Sequence, residues 1–159
     1  MNKRGGLFFA LLLILSLSLL LSACAADEPQ SQCRLEISCA NALSWEGLDP
    51  ALAEQLPEGG AVLSVDAAFA AGETAYDVLT RALREAGVHY EVGDGNTYFL
   101  AVNNLYSGDC GDLSGWMYSV NDEFPLDAVN QYQVQEGDVI VLAFTCDMGA
   151  DLGYVFEGQ

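Results

Sequence analysis

The hydrophobic and polar positions divide the chain into one long apolar run near its start and a series of short patterned segments after it. Residues 7–21 are almost entirely Leu, Phe, Ala, Ile and Ser, and they follow Lys3 and Arg4. This run is shorter than the roughly 20 residues that a membrane-spanning helix needs. It leads through two small residues into Cys24. The pattern is typical of a lipoprotein signal peptide, and a plain membrane anchor or a simple secretory signal is the alternative.

The leader predicts export and acylation of Cys24 with chains such as palmitate. We expect a signal peptide over residues 1–23, a lipidated tether over 24–32, one domain over 33–153 and a tail over 154–159. Buried acyl chains contribute about 0.8 kcal/mol per methylene, which is enough to hold a protein at a bilayer. The domain is therefore predicted to be extracytoplasmic and lipid-anchored to the cell membrane.

The segments after the tether alternate between strand and helix patterns. Cys33 to Cys39 place apolar and polar side chains on opposite faces, which predicts a half-buried strand, and a second strand is predicted at 61–69. Apolar residues then recur at helical spacing between Thr74, which can cap a helix together with Asp77, and Gly87, which can end it.

The rest of the chain reads as short strands separated by turns. We predict strands at 88–92, 97–103, 116–121 and 139–145. The last of these is apolar on both faces, which favours a position in the middle of a sheet. The predicted fold is α+β, a β-grasp-like roll in which one main helix packs on a mixed sheet. In such a roll the first and last strands lie side by side and parallel.

The mature chain is strongly acidic. After cleavage three basic residues, Arg34, Arg81 and Arg84, remain against 23 acidic residues, a formal net charge of −20. Such a surface repels nucleic acid, which proteins bind by neutralising phosphates. We therefore expect no nucleic-acid partner.

The cysteines fit an oxidising compartment. With Cys24 acylated, Cys33, Cys39, Cys110 and Cys146 remain, an even number that allows three pairings. Cys33 and Cys39 lie about 20 Å apart on one strand, which excludes a bond between them. If the first and last strands are parallel neighbours, Cys39 meets Cys146, and Cys33 is left to meet Cys110. Free buried thiols are the alternative.

Candidate catalytic chemistry is sparse. His89 is the only histidine, so the usual Cys and His zinc sites cannot be assembled, and the aspartates around Gly111 and Gly149 lack the spacing of a calcium loop. Gly93 to Asn96 reads as a hairpin turn rather than a phosphate-binding loop. We expect no enzyme activity, no catalytic residue, no bound metal and no cofactor.

Aromatic side chains give the more specific signal. Trp116, Tyr118 and Val120 share one face of a predicted strand, and Tyr98, Phe124 and Tyr132 lie on neighbouring segments. A glycine-rich loop precedes Trp116 and could approach a ligand. Core packing is the alternative explanation for such a stripe.

Three stretches resemble a known family. They run from Gly72 to Leu79, from Asn103 through the Ser-Gly-Trp-Met-Tyr run to Asn121, and from Glu136 to Gly149. Together they resemble the bacterial lipoprotein domain that is similar to the C-terminal β domain of transcobalamin and intrinsic factor. The resemblance covers about residues 33–153. Where the bacterial pattern has Val-Asn-Gly, this chain has Val-Asn-Asp at 120–122.

The resemblance implies a non-catalytic binding module with cobalamin or a related corrinoid as its ligand. The residues at matching positions are Trp116, Tyr118, Asn103, Asn104 and Asn121. In the vitamin carriers a helical barrel completes the site, so a helical partner domain or an importer is implied here. An adhesion or scaffold domain that recognises a protein or a glycan at the cell surface is the alternative.

Overall fold

The structure is a computed structural model that describes residues 31–155. The predicted signal peptide, the predicted acylation site Cys24 and most of the predicted tether lie outside the described residues, and so do residues 156–159. Within the described part, none of the helices has both the length and the apolar character needed to cross a bilayer.

The described chain contains one long helix among short strands. The strands are β1 (Ser31–Ser38), β2 (Ala61–Phe69), β3 (Tyr90–Val92), β4 (Phe99–Val102), β5 (Leu105–Tyr106), β6 (Gly115–Val120) and β7 (Val139–Thr145). The helices are α1 (Ala40–Leu43), α2 (Pro50–Ala53) and α3 (Ala75–Glu85). Single turns of 3-10 helix lie at Glu58–Gly60, Asp94–Asn96 and Ala150–Leu152.

Two sheets organise these strands. The larger sheet has the order β2-β1-β7-β6, and the smaller has the order β3-β4-β5. β1 runs parallel to β7, with Leu35 opposite Ile140, whereas the other pairs in both sheets are antiparallel. The prediction of one main helix with a mixed sheet and parallel first and last strands is confirmed. The finer β-grasp-like description stays a prediction.

Helix α3 begins and ends as its sequence predicts. The Asp77 carboxylate accepts from the Thr74 amide at 2.9 Å, and the Thr74 hydroxyl accepts from the Asp77 amide at 3.3 Å. After the helix, Gly87 adopts φ 68°, and the Val88 amide returns to the Leu83 carbonyl at 2.9 Å. These are a capping box and a Schellman ending, which satisfy the backbone groups that a helix leaves unpaired.

One core joins the helix to both sheets. The fully buried side chains come from α3 and from the facing sides of the strands: Leu35, Ile37, Val78, Leu79, Leu83, Phe99, Leu105, Ile140, Leu142 and Phe144. The alternation in β1 and β7 puts the buried residues of these two strands on one face of the larger sheet. Burial of that face therefore fixes the strand register.

The four described cysteines lie at the two ends of the larger sheet. All four are buried, and the Cys39–Cys146 and Cys33–Cys110 pairs stay predictions. Cys33 lies beside the start of β7, whereas Cys110 and Cys146 line one pocket just after the end of β7. The length of β7 separates the two ends by about 20 Å.

Candidate functional site

A pocket of about 320 Å³ opens beside β6, which is an edge strand of the larger sheet. We call it the β6 pocket. It is formed by the beginning of β4, by β6 and by the loop that follows β6, and its lining residues are Thr97, Tyr98, Phe99, Trp116, Met117, Tyr118, Phe124, Pro125, Leu126, Asp127, Ala128, Val129, Leu142 and Tyr154. Most of this lining is aromatic or aliphatic, which is usual for sites that bind small molecules.

Trp116 forms part of the floor of the pocket. Only 6% of its surface is exposed, its ring meets Phe144 edge to face at a centroid distance of 5.3 Å, and its Nε1 donates to the Leu105 carbonyl at 3.0 Å. A tryptophan held in this way cannot swing towards a ligand. Trp116 therefore serves the core and offers the pocket one surface of its ring.

Tyr118 ties β6 to the loop that closes the pocket. Its hydroxyl donates to the Asp127 carbonyl at 2.5 Å. Burial, together with the Asp127 charge and Tyr132, raises the pKa of Tyr118 to about 12. The phenol is therefore neutral at physiological pH, and it keeps the 124–129 loop against the sheet.

The rim of the pocket is exposed and apolar. Tyr98 is 49% exposed and Leu126 is fully exposed, while Phe124 meets Tyr154 edge to face at 5.2 Å. The Tyr98 ring lies directly over Gly93, where an added Cβ would sit 2.0 Å from the ring. The absence of a side chain at Gly93 thus allows Tyr98 to keep its position on the rim.

Asn103 and Asn104 form the two-residue turn between β4 and β5. Their φ angles are 53° and 63°, and Val102 pairs with Leu105 on either side of them. Both positive φ values are those of a type I′ hairpin, which favours asparagine. Neither residue lines the β6 pocket.

Asn121 has a structural role at the turn after β6. With Asp122 it takes positive φ angles of 52° and 66°, so the Val-Asn-Asp sequence forms its tight turn without glycine. The Asn121 side chain donates to Asp138 Oδ1 and accepts from the Val139 amide, each at 2.9 Å. It is likewise not among the residues that line the pocket.

The structure therefore brings together two of the five predicted ligand residues, Trp116 and Tyr118. The sequence did not predict that exposed Leu126 and half-buried Tyr154 belong to the rim. A Phe-Pro-Leu run in a predicted loop, at 124–126, was the available signal, because apolar side chains in a loop need another surface to cover them.

The described residues offer little catalytic or metal-binding chemistry. Within 31–155 there is no group of three or more His, Cys, Asp or Glu side chains that could hold a metal ion. His89 is half exposed, its Nε2 lies 3.7 Å from Glu91 Oε1, and it is not among the residues that line the β6 pocket. An open apolar pocket beside a sheet is a common setting for a small-molecule site.

Comparisons with known proteins agree with this class of fold. A family described as Domain of unknown function (DUF4430) matches residues 72–145. No curated protein sequence matches the chain.

Among solved structures, haptocorrin in complex with Cbi is 14% identical, with a TM-score of 0.50 over 78% of this chain and 27% of that chain. A candidate metal-binding protein from Ruminococcus gnavus ATCC 29149 is 13% identical, with a TM-score of 0.41 over 73% of this chain and 97% of that chain. The second score is too low to support an argument. At 14% identity the first supports the fold alone.

The predicted resemblance is confirmed at the level of the fold: the described residues are similar in fold to part of haptocorrin. The chain spans about a quarter of the haptocorrin chain that it matches.

Proposed function

We propose that this protein is a non-catalytic, membrane-anchored binding module outside the cytoplasmic membrane, and that a corrinoid such as cobalamin binds at the β6 pocket together with a second component. The observation that carries the proposal is an open, aromatic pocket on a fold shared with part of a protein whose structure contains Cbi. The β-grasp-like description of the fold belongs to the same proposal.

The chemistry of the pocket suits a neutral ligand with both apolar and amide surface. Its floor presents ring faces and aliphatic carbon, and its rim carries phenol hydroxyls that can bond to amide groups. Asp127 is the one acidic residue in the lining, and the mature chain carries a net charge of −20, so anionic ligands are repelled.

The size of the pocket supports the need for a second component. At about 320 Å³ it is near the lower end of the range for ligand sites, whereas a corrin ring with its side amides is much larger. The pocket can therefore receive only one edge of a corrinoid. A helical partner domain or an importer would cover the remainder.

Titration of the full chain in detergent with cobalamin and with cobinamide tests the ligand. We expect measurable heat of binding, and we expect Tyr98→Ala and Leu126→Ala each to weaken binding about tenfold, because each removes an exposed part of the rim. Leu43→Ala is the matched control, since Leu43 is also exposed but lies outside the pocket. If neither corrinoid gives measurable heat of binding at millimolar concentration, the proposed ligand is wrong.

The anchor is tested separately by mass spectrometry of the membrane fraction. We expect the N-terminal peptide to begin at Cys24 and to carry the mass of acyl chains. Recovery of protein that retains Met1 and has no lipid on Cys24 would contradict the anchor while leaving the ligand test intact.

A surface adhesion or scaffold role is the second candidate. Trp45, Leu113 and Met148 are 41%, 50% and 47% exposed, and they surround two further shallow pockets near the end of β7. Exposed apolar patches often mark protein contacts. If the corrinoids are silent, loss of cell-surface adhesion in Trp45→Ala, with unchanged folding, would support this role.

A further inference from the structure

Cys110 and Cys146 are buried side by side. Cys110 is 1% exposed and Cys146 is 8% exposed, and both line one small pocket, where each thiol lies close enough to shift the pKa of the other. They come from different parts of the chain, one from the loop before β6 and the other from the residues just after β7. Their contact therefore depends on how these two segments pack together.

Backbone hydrogen bonds hold the two segments in this position. Gly115 pairs with Thr145 at the end of the β6–β7 ladder, and the Met148 amide donates to the Leu113 carbonyl at 2.9 Å. The Cys110 amide donates to Ser114 Oγ at 3.1 Å. Because contacts flank both cysteines, the two sulfurs are brought together by the fold itself.

The other two described cysteines have no such neighbour. The Cys33 thiol donates to the Ala67 carbonyl at 3.7 Å, and the Cys39 thiol donates to the Gly60 carbonyl at 3.5 Å. Each is buried in the core against backbone. The hydrogen bond of each thiol therefore goes to a backbone carbonyl and not to a second sulfur.

We propose that Cys110 and Cys146 are oxidised to a disulfide, while Cys33 and Cys39 remain thiols. One S–S bond forms and two S–H bonds break. The two electrons and two protons pass to an oxidant of the disulfide class, either a thiol-oxidising protein or oxidised glutathione, which is reduced to two thiols. In the cell this step needs the extracytoplasmic location proposed above, whereas the geometry does not depend on it.

The environment of the pair sets when oxidation occurs. Burial raises the pKa of both thiols, and for Cys146 burial and the hydrogen bond to Cys110 raise the pKa to about 12. Thiolate is the attacking form, so the folded, reduced protein reacts slowly. Oxidation therefore takes place during folding, before the loop that carries Cys110 has packed against the end of β7. Once formed, the disulfide is shielded from reductants.

Peptide mapping of the exported full chain tests the pairing. Cleavage after glutamate separates all four cysteines, because Glu36 lies between Cys33 and Cys39 and because 92–123 and 137–157 carry Cys110 and Cys146. After alkylation without reductant, we expect those two peptides to be linked and about 2 Da lighter than the reduced pair. Alkylation of all four thiols, or a link to Cys33 or Cys39, would overturn the proposal.

Refolding of the reduced full chain in a glutathione buffer separates this inference from the question of location. We expect the same linked peptides, a melting temperature about 10 °C above that of the reduced chain, and loss of that difference in Cys110→Ser. Cys39→Ser is the matched control and should retain the link. If the reduced and oxidised chains have the same four alkylated thiols, the inference is wrong even for a protein that is exported and lipidated.

Discussion

Asp138 is the residue whose removal most directly tests how the turns are held. It is 5% exposed, and its carboxylate accepts from the Asn121 amide at 2.9 Å, the Tyr132 hydroxyl at 2.9 Å and the Gln135 amide at 2.8 Å. These donors come from the turn after β6 and from the segment that leads into β7. Asp138→Ala leaves all three without their acceptor.

The expected loss of stability follows from these contacts. A hydrogen bond to a charged acceptor contributes about 1.5 kcal/mol net or more, so the loss of three such bonds lowers the free energy of unfolding by at least about 4 to 5 kcal/mol. For a domain of this size that corresponds to a fall of more than about 12 °C in melting temperature. Asp138→Asn keeps the shape and one acceptor oxygen, so it should cost about half as much.

Urea denaturation followed by circular dichroism measures this loss. Asp112→Ala is the matched control, because Asp112 is an exposed loop residue. The reasoning is refuted if Asp138→Ala and Asp112→Ala differ by less than about 0.5 kcal/mol, the spread of ordinary surface substitutions.

Alkaline pH gives a second reading of the same contact. Burial and the hydrogen bond to Asp138 raise the pKa of Tyr132 to about 12, above its ordinary value of 10.0. Because the pKa of Tyr132 is raised in the folded state, the stability that its neutral phenol contributes is complete below pH 10. That stability is lost as the pH rises through about 12. Asp138→Ala should lower the pKa of Tyr132 in an absorbance titration, and an unchanged titration would contradict the assigned cause.

Two further substitutions test the helix and the floor of the pocket. Burial of Glu73 favours its neutral acid, but the hydrogen bonds from Arg81 and from backbone outweigh burial and lower the pKa of Glu73 below 4.5. The stability that ionised Glu73 contributes is therefore lost as the pH falls through this lowered pKa. Glu73→Gln should therefore cost about 0.5 kcal/mol at pH 7 and flatten the acid dependence relative to exposed Glu46→Gln; equal acid curves would contradict it. Trp116→Phe should cost about 2 to 3 kcal/mol in thermal unfolding, because it loses the bond to Leu105 and leaves a cavity, and a loss below about 1 kcal/mol would place the ring outside the core.

Several elements could be predicted because their local signals agree with their tertiary setting. β7 is apolar on both faces, and it lies in the middle of the larger sheet beside β1. Thr74 and Asp77 form the predicted cap of α3. In each case the residue pattern and the burial require the same structure, so the prediction did not depend on knowing the rest of the fold.

The position of Cys110 could not be predicted because it depends on a loop. The parallel strands correctly place Cys39 near the same end of the sheet as Cys146. Sequence does not show, however, that the loop carrying Cys110 turns towards that same end. The Gly115–Thr145 pair fixes this direction, and such a non-local contact has no periodic signature.

The asparagines show why amide groups are weak evidence for a ligand site. Asn103 and Asn104 occupy positive φ angles, and Asn121 combines a positive φ with two hydrogen bonds to neighbouring strands. Asparagine tolerates this backbone region better than most residues, so turn formation alone accounts for its presence. Proteins that share a fold can share these turn asparagines for structural reasons, whether or not they bind the same ligand.

The aromatic stripe on β6 serves both roles that its sequence allowed, because it packs in the core and also lines the β6 pocket. Trp116 pairs with Phe144 and Tyr118 pairs with Leu142 across the β6–β7 ladder. The stripe therefore lies on the same face of the sheet as these buried residues and belongs to the core. Because β6 is an edge strand, the same face continues past the sheet and is left open beneath the 124–129 loop. The Tyr118 hydrogen bond to Asp127 holds that loop in place. Binding specificity should therefore depend on the exposed loop residues, while substitutions in the stripe should act through stability.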